Sequence, residues 1–409
     1  MNWAILIGIA LFFIVTAVRN GESGWDFGSN RSLSIGITVD GQTFDIRAEG
    51  DVDTAPDGSG VLALDEDGFL DIRTRRGGDQ LRARFTGSNG DVVREFWVDG
   101  EAQPWGPEAD RFIADTMPVL LRETAIDAPE RVAWLLANGG PTRLIDEIAL
   151  IQSDFAQRLY TLQYSETATI APDDFARLMS LAENNMASDF ELRVTLTAVH
   201  EQQQPTGESL IALLNAGRGL GSDFEARVLL QAVSESLRNT PEAATAYLDL
   251  AAAIGSDFEL RNALMPVVMN DALSDEVVGK AIEVGASQLG SDFELRMLLA
   301  PAASRVGRSD TLAQAYTTAS KSIGSDFELR NALMTLAGSA ELTPVGWKAL
   351  LETGQQIDGD FECAMLLMAV APNLPQDADV IEAYRTTLAT IGSDFERQRA
   401  ALALDGATR

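Results

Sequence analysis

The chain has 409 residues, 46% hydrophobic and 22% charged, which is apolar material for about two or three ordinary cores and argues against disorder. Its 61 acidic and 31 basic residues leave a formal charge of −30, a field that repels phosphate backbones and anionic headgroups and so argues against nucleic-acid binding and adsorption to an anionic membrane. One cysteine, Cys363, and one histidine, His200, exclude an intramolecular disulfide, a cysteine-rich zinc cluster and any multi-histidine metal site.

Residues 3–18 read WAILIGIALFFIVTAV, without a charge, and as a helix at about 1.5 Å per residue they extend about 24 Å. A comfortable membrane span needs about 20 residues, and Met1 and Asn2 lengthen the segment slightly. Residues 1–19 therefore read as a short transmembrane anchor. A cleaved secretory signal and a buried core helix are the alternatives, although a signal normally carries a basic n-region and only the α-amino group is charged here. Arg19 favours that end inside, yet a long acidic domain translocates largely regardless of one charge. Residues 20–31, rich in Gly, Asn and Ser, form a linker.

From residue 32 to 106 the hydrophobic period is two. Leu33, Ile35, Ile37 and Val39 alternate with small or polar residues, Asp40-Gly41 follows, and Phe44 and Ile46 alternate in turn. Asp-Gly between alternating runs is a strong hairpin signal. Further strands are expected near 61–64, 69–74, 81–86 and 92–98, with Asp99-Gly100 closing another hairpin, so this region is a small antiparallel β domain. Its acidic clusters, Asp51/Asp53/Asp57 and Asp65/Glu66/Asp67, lack the spacing of a calcium loop and read as turns.

From 107 to 409 the period is helical and a motif recurs. Ser-Asp-Phe-Glu-Leu-Arg begins at Ser188, Ser256, Ser291 and Ser325, with relatives at Ser153, Ser222, Gly359 and Ser393. The phenylalanines Phe155, Phe190, Phe224, Phe258, Phe293, Phe327, Phe361 and Phe395 are spaced 35, 34, 34, 35, 34, 34 and 34 residues apart. So constant a period predicts an α-solenoid of about eight helical hairpins. Ser followed three residues later by Glu is a capping box. Gly221, Gly255, Gly290, Gly324 and Gly392, each just before a motif Ser, suit the end of the preceding helix. Thr240-Pro241 and Thr343-Pro344 supply N-caps with proline at the first helical position. Segments 108–124 and 129–137 are expected to begin the stack. The fold class is thus mainly α: a membrane helix, a small antiparallel β domain and a solenoid.

The Ser-Asp-Phe-Glu-x-Arg copies resemble repeats in a group of largely uncharacterised bacterial membrane-associated proteins. They are also similar to repeats beyond the membrane domain of some metallopeptidases of the beta-lactam-sensor type. Phe96-Trp97-Val98-Asp99-Gly100, followed by Trp105 and an acidic helix, resembles the region before those repeats. The resemblance spans about residues 30–400 and implies no known activity. It implies a bacterial membrane protein; with one short hydrophobic span the expectation is a single-pass protein of the inner membrane, and the short uncharged leader and the linker lead to the expectation that the soluble part is periplasmic. The peptidase part is missing: His200-Glu201-Gln202-Gln203-Gln204 begins like H-E-x-x-H, but Gln204 stands where the second ligand belongs. The tetratricopeptide pattern of Trp, Leu-Gly and Tyr is also absent.

The motif residues are assigned to structure: Asp189, Phe190 and Arg193; Asp223, Phe224 and Arg227; Asp257, Phe258 and Arg261; Asp292, Phe293 and Arg296; Asp326, Phe327 and Arg330. Asp caps its helix and pairs with Arg at i, i+4, and Phe packs between hairpins. Cys363 reads as a small buried hydrophobe and His200 as a helix-end or surface residue. The helix before each motif varies from copy to copy. It carries Tyr247, Tyr316, Trp347 and Tyr384, of types enriched at interface hot spots, which makes them the candidate partner surface, with burial between hairpins as the alternative. No phosphate loop, dinucleotide fingerprint or G-x-S-x-G occurs, and no catalytic, cofactor or metal residue is assigned. The expected function is a membrane-tethered, non-enzymatic scaffold for a protein partner. The alternative is a regulatory or sensory subunit of a membrane signalling protein or peptidase.

Overall fold

A computed structural model describes residues 32–39, 41–76, 78–306, 309–338 and 342–407. The proposed anchor and linker lie outside the described residues. Among those described, no helix is long and apolar enough to cross a membrane. The chain divides into two compact units, Met1–Gly140 and Pro141–Arg409.

Among its described residues the first unit holds eight strands: β1 (Ser32–Val39), β2 (Gln42–Glu49), β3 (Val52–Thr54), β4 (Val61–Leu64), β5 (Phe69–Arg76), β6 (Asp79–Ser88), β7 (Asp91–Val98) and β8 (Glu101–Gln103). Six form an antiparallel sheet in the order β1-β2-β5-β6-β7-β8, and β3 pairs with β4 as a separate hairpin. Asp99-Gly100 has φ of 51° and 87°, and Asn89-Gly90 has φ of 55° and 81°. Positive φ at both central residues is the twist-compatible two-residue turn, which explains the sharp β6–β7 and β7–β8 reversals. The acidic clusters serve turns: Asp65 accepts from the Asp51 N–H, Asp57 from the Ser59 N–H and Glu66 from the Asn89 N–H.

One face of the sheet is apolar, with Phe44, Ile46, Leu70, Ile72, Ala83, Phe85 and Phe96 buried. Helix α1 (Pro107–Thr124) covers it with Phe112, Ile113, Met117, Leu120 and Leu121. Trp105 packs edge-on against Phe85 and Phe96 and donates its indole N–H to Asp110 at 2.8 Å. The Asp127 carboxylate accepts from both the amide and the hydroxyl of Thr54, fastening the β3 end to the turn after α1. The first unit thus extends past residue 106, where the sequence places the end of the β domain. The segments 108–124 and 129–137 belong to the first unit, because a lone sheet must bury its apolar face and α1 is what buries it. The boundary falls at Gly140, where helix α2 (Ala128–Ile148) breaks with a φ of 69° just before Pro141.

The second unit contains α3 (Asp154–Thr167), α4 (Pro172–Asn185), α5 (Asp189–Gln203), α6 (Glu208–Ala216), α7 (Asp223–Val233), α8 (Ala244–Ala251), α9 (Asp257–Val268) and α10 (Asp275–Gln288). It continues with α11 (Asp292–Val306), α12 (Asp310–Ser320), α13 (Asp326–Ala337), α14 (Pro344–Gly354), α15 (Asp360–Val370), α16 (Ala378–Ala389) and α17 (Asp394–Ala407). Odd-numbered helices begin at the motif and each packs on the next odd one. Even-numbered helices stack in a second layer. This is the repeat architecture that the 34–35-residue spacing predicts. Thr343 caps α14 through the Gly346 N–H, whereas Thr240 makes no such bond and a 3-10 turn, Pro241–Ala243, replaces the expected helix start.

Candidate interaction surface

Each motif residue has one task, and most tasks reach into the neighbouring repeat. The Ser hydroxyl caps its own helix, accepting from the third amide at 3.3–3.5 Å in the copies at Ser188, Ser222, Ser256, Ser291, Ser325 and Ser393. The Asp that follows accepts backbone N–H groups from the turn one repeat later. Gly255 and Ser256 donate to Asp223 at 3.1 and 2.8 Å, and Gly324 and Ser325 donate to Asp292 at 3.0 and 2.8 Å. Gly221 donates to Asp189, Gly290 to Asp257, and Gly359 to Asp326. At Ser256, Ser325 and Gly359 the N-cap amide is satisfied from outside, so the motif Glu is not needed there to close a capping box.

The Glu carboxylate instead takes the Arg of the preceding repeat. Arg158 reaches Glu191 at 2.5 Å and Arg193 reaches Glu225 at 2.6 Å. Arg227 pairs with Glu259, Arg261 with Glu294, Arg296 with Glu328 and Arg330 with Glu362. The expected i, i+4 Asp–Arg pairing is corrected by these bonds. With Asp occupied by turn amides of the next repeat, the guanidinium goes to the next repeat's carboxylate in a half-buried position.

On its other side the guanidinium covers the motif phenylalanine. Arg193, Arg227, Arg261, Arg296 and Arg330 lie 4.8–5.4 Å from the ring centres of Phe190, Phe224, Phe258, Phe293 and Phe327, within cation–π range. The rings themselves are not packed between hairpins, contrary to expectation. Phe190, Phe224, Phe258, Phe293, Phe327, Phe361 and Phe395 remain 49–68% exposed. They sit at the second helical position, where the side chain projects at the end of the helix rather than along its buried stripe. The result is a row of half-exposed aromatic rings, one per repeat, most of them backed by a guanidinium.

The residues expected to form a partner surface are core. Tyr247, Tyr316 and Tyr384 are 0% exposed and Trp347 is 5% exposed. The three tyrosine hydroxyls donate to the carbonyls of Ala263, Ala332 and Ala400 in the following motif helix at 2.7–2.9 Å. A buried phenol must find an acceptor, and the facing alanines leave room for the ring. Cys363 is buried as expected, and burial pushes its thiol up.

His200 lies in the last turn of α5, half-buried, with Nε2 2.8 Å from the Ser236 hydroxyl of the next repeat. Burial lowers its pKa. A base paired with a hydroxyl is the beginning of a nucleophilic dyad, but Nδ1 is buried without a hydrogen-bond partner, so no third group orients the ring. The contact works as one more tie between repeats. In comparisons with known proteins, the chain matches no family model, no curated protein and no solved structure.

Proposed function

We propose that the protein is a membrane-tethered, non-enzymatic interaction scaffold whose protein partner docks along the row of half-exposed phenylalanines. One observation carries this reading: the same aromatic ring stays exposed at the same helical position in seven repeats among the described residues. Scattered exposed hydrophobics are ordinary, but a repeated aligned row is a contiguous feature of the surface. Aromatic and Arg side chains are the types enriched in protein interfaces. Stacked helices lie about 8–10 Å apart, so the row offers evenly spaced anchors to a long partner. The tether rests on residues 3–18.

Capture of partners from crosslinked native membranes tests the proposal. The variant carries Phe224→Ser, Phe258→Ser and Phe293→Ser together, and circular dichroism verifies that its helices persist. Loss of the partner that the wild-type protein captures supports docking on the row. Undiminished capture by the folded triple variant overturns it.

A further inference from the structure

The sheet has a second face, turned away from α1, and its chemistry differs from that of the rest of the chain. Asp71 and Arg73 of β5 and Arg82 and Arg84 of β6 alternate onto it. The register sets Arg73 directly opposite Arg82 and Asp71 opposite Arg84. Like charges directly opposite each other are destabilising. Here they are held by one carboxylate: Asp71 is 2% exposed and bonds Arg73 Nε at 2.9 Å, Arg82 Nε at 3.0 Å and Nη2, and Arg84 Nη1 at 3.4 Å.

Three guanidiniums share the Asp71 carboxylate in a protein of net charge −30; on the same face Asp45, opposite Arg73, pairs with Arg75, and Glu95 lies opposite Arg84. Among the described residues, the two Nη atoms of Arg73 and Nη1 of Arg82 donate to no protein acceptor. Arg82 is fixed from its other side by the Trp97 ring, 4.4 Å away. Arg73, Gln80, Arg82, Trp97 and Gly100 surround a cavity of about 140 Å³. Asp99, beside Gly100, does not neutralise the cavity by ion pairing; its Oδ1 accepts from the Gln80 N–H at 2.9 Å.

Asp71 offsets the repulsion but leaves donors of Arg73 and Arg82, both of which line the cavity, without a protein acceptor among the described residues. The cavity is too small for a whole ligand, since such sites run to about 300–1,000 Å³. Its volume of about 140 Å³ is of the order of a single small group beside the indole. A guanidinium fork matches the planar, two-oxygen geometry of a carboxylate. We propose that this cavity recognises a carboxylate group, supplied either by an acidic side chain of a polypeptide or by a free small carboxylate. The inference is independent of the phenylalanine row.

Isothermal titration of the full-length protein tests it, with succinate, hexaglutamate and inorganic phosphate as separate probes. Salt at about 0.15 M shortens the Debye length to about 8 Å and mutes repulsion from the acidic surface. Saturable binding of hexaglutamate but not succinate assigns a polypeptide source, and succinate binding assigns a free carboxylate. Arg73→Gln weakens binding by about tenfold or more, the effect of losing a bidentate charge-assisted pair. Asp71 keeps Arg82 and Arg84 in that variant. Arg75→Gln removes the same charge from the same strand, at a residue paired with Asp45 outside the cavity, and leaves binding within about twofold. Independently of any Arg variant, the Trp97 indole N–H resonance of the wild-type protein, identified with Trp97→Phe, shifts on saturation. Absence of binding, equal losses in the two Arg variants, or phosphate binding as tightly as the carboxylates overturns the proposal.

Discussion

Arg261 stands one turn after Asp257 and two residues after Glu259, yet it bonds neither; its guanidinium reaches Glu294 in the next repeat and covers Phe258. Hydrogen bonds to charged groups are worth about 1.5–3 kcal/mol, and this pair is largely screened from water. Arg261→Met is therefore expected to lower unfolding stability by about 1–3 kcal/mol in urea. Exchanging the charges, Arg261→Glu with Glu294→Arg, restores part of the loss. A double-mutant cycle with no coupling between the two positions would contradict the inter-repeat pairing. Asp71 supplies a pH test in the sheet. Burial by itself would raise its carboxyl, but hydrogen bonds from Arg82 and Arg73 outweigh burial and hold it below the ordinary value of 3.8. A depressed acid contributes stability that is full above the unfolded value and disappears as pH falls through the lower folded value. The Asp71 carboxyl, followed by NMR, should titrate below pH 3.8; a midpoint above it would show that burial wins.

Between elements, the interior of the six hairpins from α6–α7 to α16–α17 is filled in one of two ways, whereas α4–α5 uses Met179 and Thr195. Where the even helix carries Tyr247, Tyr316 or Tyr384, the motif helix answers with Ala263, Ala332 or Ala400. Where the even helix carries Leu213, Ile282 or Leu350 instead, the motif helix has Leu229, Leu298 or Leu366, all fully buried. In those repeats Gly217, Gly285 and Gly354 make the room. A Cβ at Gly217 would lie 2.8 Å from Leu229 and one at Gly354 would lie 2.9 Å from Leu366, while one at Gly285 would collide with Leu298. Close-packed interiors conserve volume rather than identity. Tyr316→Leu alone should cost about 2–4 kcal/mol through a cavity and a lost hydroxyl bond, and Ala332→Leu alone about 1–3 kcal/mol through overpacking. Combined with Ser320→Gly, the two convert one solution into the other, and stability should return to within about 1.5 kcal/mol of wild type. Additive losses in thermal denaturation would refute the exchange.

The stack also has a weak joint. Gly359 provides no side-chain cap for α15, and Ala364 stands where the pairing Arg should be. Glu396 of α17 is consequently bonded by Arg399 of its own helix rather than by a residue of α15. Repeat arrays are held by nearest-neighbour terms, so loss of one ionic tie opens the end of the array first. Amides of α15 and α17 should exchange faster than those of α9. Uniform protection from α9 to α17 would show that the apolar contacts alone set the stability.

For the molecule as a whole, the tether proposed from residues 3–18 carries a prediction about topology. Residues beyond about 20 are expected outside the cytoplasm if residues 3–18 act as the proposed short uncharged anchor. Arg19 opposes this, but a large soluble region translocates largely regardless of one charge. A reporter enzyme active only after export, fused behind Arg409, should be active. An inactive export reporter together with an active cytoplasmic one would place the units inside.

What the sequence determined by itself is what short-range chemistry decides. Helix starts at Ser188, Ser256 and Ser325, strand alternation in Leu33–Val39 and the Asp99-Gly100 reversal depend on bonds and angles spanning a few residues. The regular period then predicts stacking of like on like. Tertiary structure decided everything that had a local and a distant option. Arg261 has carboxylates within its own helix and across the repeat interface, and only the stacking geometry selects Glu294. Tyr316 is amphipathic, and its place depends on Ala332, sixteen residues away, leaving space and a carbonyl. The α1 pattern announces one buried face but not its partner, and the sheet takes it because its own apolar face has no other cover. Phe258 looks like core by composition. Its position in the first helical turn leaves it half in water, and Arg73 and Arg82 share Asp71 only because antiparallel register brings β5 and β6 together.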